Sequence, residues 1–153
     1  MTYYISTDIL SIDSMYLEAV RIKLSIQSRR KEIVDFLNQI HTILKEDTFD
    51  INTEFVFIQK KKKNREFSTP YTMVDLEYDI EDVVERLREL TVGEYSETLV
   101  DKDDINPPLL FVFGKNINNK QVYVKLKIKG EINRRVLCVS FHYAEKVMSF
   151  PYQ

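Results

Sequence analysis

The sequence predicts an α+β fold, a small antiparallel sheet whose heart is a C-terminal three-stranded meander packed with two amphipathic helices. Three observations predict it. Period-two alternation fills the last third of the 153-residue chain, two earlier segments carry apolar residues at helical spacing, and turn signals separate the strands. The length fits one domain. Residues 1–26 read as an N-terminal extension with an extra strand, and residues 27–153 as the compact domain.

The extension's strand is Val20–Gln27, where Val20, Ile22, Leu24 and Ile26 alternate with Arg21, Lys23, Ser25 and Gln27. From Ser28, a plausible N-cap, the period changes to that of a helix, with Ile33, Phe36, Leu37, Ile40 and Leu44 on one stripe. That helix should end near Glu46–Asp50. Glu54–Gln59, with Phe55 and Phe57 on one face, reads as a short strand, and Lys60–Arg65 as a basic loop. A second helix should start near Asp79, which can cap its first turn, with Ile80, Val83, Val84, Leu87 and Leu90 as its apolar stripe. Glu94–Pro108 reads as an acidic linker closed by Pro107-Pro108.

Leu109–Lys115 is then a buried strand that Gly114 ends, and Asn118-Asn119 is a turn pair that tolerates positive φ. Gln121–Lys129 alternates strictly, with Val122, Val124, Leu126 and Ile128 inward and Tyr123, Lys125, Lys127 and Lys129 outward. Arg134–His142 is the last strand. Its Leu137, Val139 and Phe141 make the apolar face and leave Val136, Cys138, Ser140 and His142 on the other.

Composition excludes several classes of function. Apolar residues make up 44% and charged residues 30%, and no apolar run is long enough to span a bilayer as a helix. The opening MTYYISTD has neither the basic flank nor the apolar core of a secretory signal, so the expected compartment is the cytoplasm. One cysteine, Cys138, and two histidines, His41 and His142, offer no ligand set for a metal. With only Gly93, Gly114 and Gly130 there is no glycine-rich nucleotide loop, and no G-x-S-x-G elbow occurs. No cofactor is expected. The carboxylates Asp101, Asp103 and Asp104 sit in a polar loop and read as a solvated acidic turn rather than an acid/base pair.

The net charge of −2 hides an asymmetry. Residues 54–67 hold 5 basic and 2 acidic side chains, residues 68–108 hold 3 against 12, and residues 109–153 hold 8 against 2. A polyanion responds to local potential and would find the two basic stretches, although neutralisation between segments within the fold explains the same pattern.

Strand parity places Tyr123, Lys125 and Lys127 on one face, and His142 and Ser140 on the non-core face of the next strand. A histidine, a tyrosine and lysines on one surface are the inventory for metal-free RNA cleavage. A base takes the ribose 2′-hydroxyl proton, cations stabilise the charged transition state, and an acid protonates the leaving 5′-oxygen. Spacing alone favours an ordinary solvated sheet face.

A resemblance shifts that balance. Thr91-Val-Gly-Glu-Tyr-Ser-Glu97, Phe111-Val-Phe-Gly-Lys115, Val122-Tyr-Val-Lys125 and Val139-Ser-Phe-His-Tyr-Ala-Glu145, followed by Met148 and Phe150-Pro151-Tyr152, resemble the MqsR family of type II toxin–antitoxin toxins, in that order. These are small bacterial endoribonucleases of RelE-like fold. The match is densest over residues 91–152, and Phe55-Val-Phe57 with Lys63-Asn64 matches a strand and basic loop of that family. Phe111 stands where many members have tryptophan, and Glu97 lies near a position that is basic in the best-known one. The resemblance implies an enzyme that cleaves mRNA without metal or small-molecule cofactor, has no membrane partner, and is held inactive by a cognate antitoxin protein. It implies an active-site role for Tyr123, on a strand that Lys125 also matches, and lets His142 serve as proton donor or phosphate contact. Strand parity adds Lys125, and Lys115 from the preceding strand, to the catalytic set. The basic stretches add RNA contacts from Lys60, Lys61, Lys62, Lys63, Arg65 and Lys127. A RelE-like scaffold that binds a protein target without cutting RNA, or a nucleic-acid-binding module, is the alternative.

Overall fold

The computed structural model describes residues 25–100 and 109–153, so most of the alternating segment Val20–Gln27, the acidic turn and Pro107-Pro108 lie outside the described residues. The chain runs β1 (Ser25–Ile26), α1 (Arg30–Lys45), β2 (Phe55–Phe57), α2 (Thr69–Leu76), α3 (Ile80–Arg88), β3 (Tyr95–Leu99), β4 (Leu110–Ile117), β5 (Lys120–Lys129) and β6 (Arg135–Tyr143). Short 3-10 turns occupy Arg65–Phe67 and Val92–Glu94. The fold is α+β. Its open sheet has six strands in the order β1-β3-β4-β5-β6-β2, antiparallel except for β2 beside β6. The sheet is thus twice the size of the expected meander, and a third helix joins the two expected.

Helix α1 forms where the 3.6-residue spacing demands it. Ile33, Phe36, Leu37, Ile40, Ile43 and Leu44 are buried, and the Phe36 ring stacks on Phe111 at 4.1 Å. Its N-cap is Arg29, whose backbone N–H the Glu32 carboxylate accepts at 2.8 Å. Ser28 is not the cap because its hydroxyl is committed to Thr98 at 2.7 Å and its N–H to the Tyr95 hydroxyl, which ties the helix entrance to β3. Asp79 caps α3 reciprocally with Asp82, and Val83, Val84 and Leu87 are buried there while Ile80 stays exposed. Arg88 of α3 donates to the Leu44 carbonyl, satisfying one of the orphan acceptors at the end of α1.

Helix α2 is the unexpected one. Ser68 caps it by accepting from Tyr71 N–H, Pro70 sits in its first turn, and Glu77 ends it at φ 58°. Its two buried threonines act as surrogate strand partners. Beyond the short pairing with β2, the N–H groups of Phe141 and Tyr143 on the outer edge of β6 donate to Thr69 Oγ1 at 3.2 Å and Thr72 Oγ1 at 3.1 Å.

The acidic linker expected over Glu94–Pro108 is corrected at its start, because Tyr95–Leu99 is β3. Tyr95, Thr98 and Leu99 are buried, and these anchors outweigh the acidic composition. Gly114 does not end β4, which runs through to Ile117. Glycine is needed there because the C-terminal segment crosses it: a Cβ would stand 2.7 Å from Phe150 Cζ and 2.9 Å from Met148 Sδ. Asn118 and Asn119, at φ 52° and 65°, close the β4–β5 hairpin as a primed turn.

The main core lies between α1, α3 and one sheet face, where Phe113, Val122, Val124, Leu126 and Phe141 are fully buried. A register shift in β6 corrects the expected parity. Lys125 pairs with Ser140 but Leu126 pairs with Cys138, so Val139 is the extra residue of a bulge. Upstream of it Val136 and Cys138 face the main core, whereas Val139 packs on the opposite face with Leu99, Leu110, Val112, Tyr123 and Met148. Downstream, Phe141 faces the core and His142 the other side, as the alternation expects.

Candidate functional site

The sheet face turned away from α1 and α3 carries an open cleft of about 730 Å³. Its floor is β5 and β6, contributing Tyr123, Lys125, Ser140 and His142. Lys60–Lys62 form one wall and Ala144–Ser149 another, and Ser25–Gln27 with Ser96 and Glu97 close the far side.

Tyr123 and His142 are cross-strand partners, and their rings stack with centroids 5.1 Å apart and planes 13° from parallel. The bulge at Val139 restores the parity that puts both in the cleft. Among the described residues the Tyr123 hydroxyl is buried and meets no hydrogen-bond partner. Burial first, and the Glu97 charge second, push its pKa up to about 12, so the phenol is protonated at neutral pH. The Lys125 ammonium lies 5.9 Å from the Tyr123 ring centroid.

His142 is 5% exposed and held at both nitrogens. Nδ1 lies 2.9 Å from the Tyr143 carbonyl, which only accepts, so Nδ1 carries the proton and Nε2 the lone pair. Lys62 Nζ donates to that lone pair at 2.9 Å. The arrangement sets an imidazole acceptor and several ammonium groups around one open volume, with a protonated phenol whose hydroxyl is buried beside it. A phosphodiester with a neighbouring hydroxyl fits such a set. Among the described residues no cluster of three or more His, Cys, Asp or Glu side chains is arranged to hold a metal.

Several expected site residues stand elsewhere. Lys115 pairs in register with Val122 and therefore projects to the helix side, where it bonds Glu94 at 3.1 Å and approaches Glu89 at 3.9 Å. The catalytic role expected of it is withdrawn, because it is across the sheet from Tyr123. Lys127 shares the face of Tyr123 but is 1% exposed, so its expected RNA contact is withdrawn as well. Of the basic loop, Lys60, Lys61 and Lys62 line the cleft. Lys63 faces a side groove with Asn64 and Glu145, and Arg65 a second groove with Pro70, Tyr71 and Val74. Neither lies in the cleft with Tyr123 and His142.

Glu97 and Lys146 are among the cleft residues to which the sequence assigned no role. Glu97 bonds Ser25 Oγ at 2.5 Å and influences Tyr123 electrostatically. Its place follows from β3, which the acidic composition concealed. Lys146 lies on the C-terminal wall, beyond the last strand, where alternation carries no signal.

No protein-family model, curated protein or solved structure matches the chain. No helix among the described residues is long and apolar enough to cross a membrane.

Proposed function

We propose that the protein is a metal-independent endoribonuclease, the toxin of a type II toxin–antitoxin pair with a RelE-like fold of the MqsR type, acting on mRNA in the cytoplasm and silenced by an antitoxin protein. The observation that carries the reading is the stacked Tyr123–His142 pair in a cleft walled by Lys60–Lys62. The order of the resembling motifs supports it.

In this reading the incoming phosphate draws the Lys62 ammonium away from His142 and uncovers Nε2. Nε2 takes the ribose 2′-proton and the 2′-oxygen attacks phosphorus. The P–O5′ bond breaks, leaving a 2′,3′-cyclic phosphate, and the protonated Tyr123 hydroxyl supplies the proton to the departing 5′-oxygen. Lys62, Lys125, Lys60 and Lys61 balance the negative charge that builds on the phosphate oxygens.

The test is cleavage of a defined single-stranded RNA by purified protein in EDTA, with the product ends identified. Wild type should leave 2′,3′-cyclic phosphate ends. His142→Ala should keep the fold and RNA affinity yet lose about 10²–10⁴-fold in rate, and Tyr123→Phe at least about tenfold. The double variant should lose less than the product of the two. Wild-type protein that arrests bacterial growth but leaves this RNA intact would overturn the reading in favour of a non-catalytic binding toxin.

A further inference from the structure

Among the described residues, His142 occupies a stretch of β6 whose outer edge has no strand beside it, since β2 pairs with Val136–Cys138. An unsupported edge strand is a poor platform for a side chain that must be aimed. Helix α2 supplies the missing support on both sides of the histidine. Thr69 Oγ1 accepts from Phe141 N–H and Thr72 Oγ1 from Tyr143 N–H, and both threonines are buried. The Thr72 hydroxyl donates onward to the Ser68 carbonyl at 3.1 Å, so its donor and acceptor capacities are both used. Asp75, one turn on, accepts from the Tyr143 hydroxyl at 2.5 Å and has Lys120 Nζ at 3.6 Å. The helix thus grips Tyr143 at main chain and side chain together. It is the Tyr143 carbonyl that receives His142 Nδ1–H and so dictates the tautomer.

We propose that Thr72, seconded by Thr69, is a positioning residue of the site, holding Tyr143 by its main-chain N–H so that the residue's carbonyl, on the following peptide, fixes His142 with Nδ1 protonated and Nε2 turned to the cleft. Its catalytic consequence rests on the ribonuclease reading above; its structural consequence does not. The same chain of bonds reaches the lysine wall. Ser68, which receives the Thr72 hydroxyl, also donates its own hydroxyl to the Arg65 carbonyl at 2.7 Å, directly after the loop that carries Lys62. The helix therefore anchors the imidazole and, at its cap, the foot of the segment bearing the imidazole's ammonium partner.

The experiment uses the full chain labelled with nitrogen-15 at histidine, with His41 as the internal reference. Wild type should show His142 as a single Nδ1–H tautomer. Thr72→Val, which keeps the shape but leaves Tyr143 N–H without its acceptor, should show mixed or exchanging tautomers. In single-turnover RNA cleavage its rate should fall about 10–10²-fold, as expected for a misplaced catalytic group, with RNA affinity unchanged. Thr72→Ser should restore both. Val83→Ala, a core change on α3 that lowers the melting temperature, should leave tautomer and rate as in wild type. A Thr72→Val protein with the wild-type tautomer overturns the proposal, and so does a Val83→Ala protein that reproduces the Thr72→Val spectrum. Should Thr72→Val fail to fold, Thr69→Val, which unbonds Phe141 N–H alone, is read by the same criteria. If Thr72→Val scrambles the tautomer while wild type cuts no RNA, positioning stands and the ribonuclease reading falls.

Discussion

Replacing Gly114 with alanine is the most direct probe of how the C-terminal segment roofs the sheet. The new methyl would stand 2.7 Å from Phe150 Cζ and 2.9 Å from Met148 Sδ, against an ordinary carbon–carbon contact of about 3.5–4.0 Å. Two neighbours must each give way by roughly 1 Å, and overpacking of this kind costs about 1–3 kcal/mol. Alanine also loses less chain entropy than glycine in a strand, which returns about 0.5–1 kcal/mol. The net expectation is a loss of about 0.5–2 kcal/mol, or a melting temperature lower by about 1–8 °C for a chain of this size. Thermal unfolding followed by circular dichroism reads it, and a double-mutant cycle with Phe150→Ala assigns it. With the ring removed, the alanine should cost little, giving a coupling of at least about 0.5 kcal/mol. A Gly114→Ala protein as stable as wild type, or additive behaviour in the cycle, would refute the close approach of tail and strand.

The lysine wall should be separable by salt dependence. Lys60→Ala and Lys61→Ala should each flatten the log–log slope of single-stranded RNA binding by about 0.7, the share of one neutralised phosphate, whereas Lys63→Ala should leave it unchanged. Fluorescence anisotropy across a salt series measures this, and equal effects at positions 60 and 63 would contradict the placement of the loop. His41 should destabilise the fold in mild acid. Burial first, and Lys45 one turn away, lower its pKa below the ordinary value, outweighing the opposing effect of its bond to the Leu87 main chain. The unfolded chain then binds the proton more readily, so stability is intact above the ordinary histidine range and falls as pH drops through it. His41→Gln should show a flatter decline in urea midpoint between about pH 7 and 5 than wild type. Parallel declines would remove His41 from the acid sensitivity.

The parts of the fold that were legible in the sequence are those where one periodicity dominates. Helices α1 and α3 carry wide apolar stripes, Asp79 sits where a cap should, and β5 alternates without a break, so each could be placed from side chains alone. Helix α2 escaped because its eight residues mix Thr, Pro, Tyr and Asp, and its buried positions include threonines that bond the main chain of another strand. Only Ser68 followed by Pro70 marked its start. Strand β3 escaped because it lies inside an acidic stretch, and its anchors Tyr95 and Thr98 are buried through bonds to Ser28 and to each other. In the site, Tyr123 and His142 share a face as alternation implies, although Leu137 and Val139 do not face the core as assigned. A bulge is one uncounted residue, and period-two reasoning fails upstream of it while holding downstream. Lys115 was misplaced although its own strand contained the answer, since Phe111 and Phe113 share its parity and both face the helices.

The parallel contact between β2 and β6 joins Phe55 to Val136, positions 81 apart in the chain, and it ties the lysine wall to the strand that carries His142. A ribosome moving at about 5–20 residues per second needs roughly 4–16 s to cover that interval. Throughout it β2 lacks β6, its one neighbouring strand among the described residues, and closing so long a loop is among the slower acts of folding. Lys62 and His142 therefore meet only after β6 has left the exit tunnel. On the ribonuclease reading proposed above, a nascent chain would carry no assembled cleft while its message is still being read.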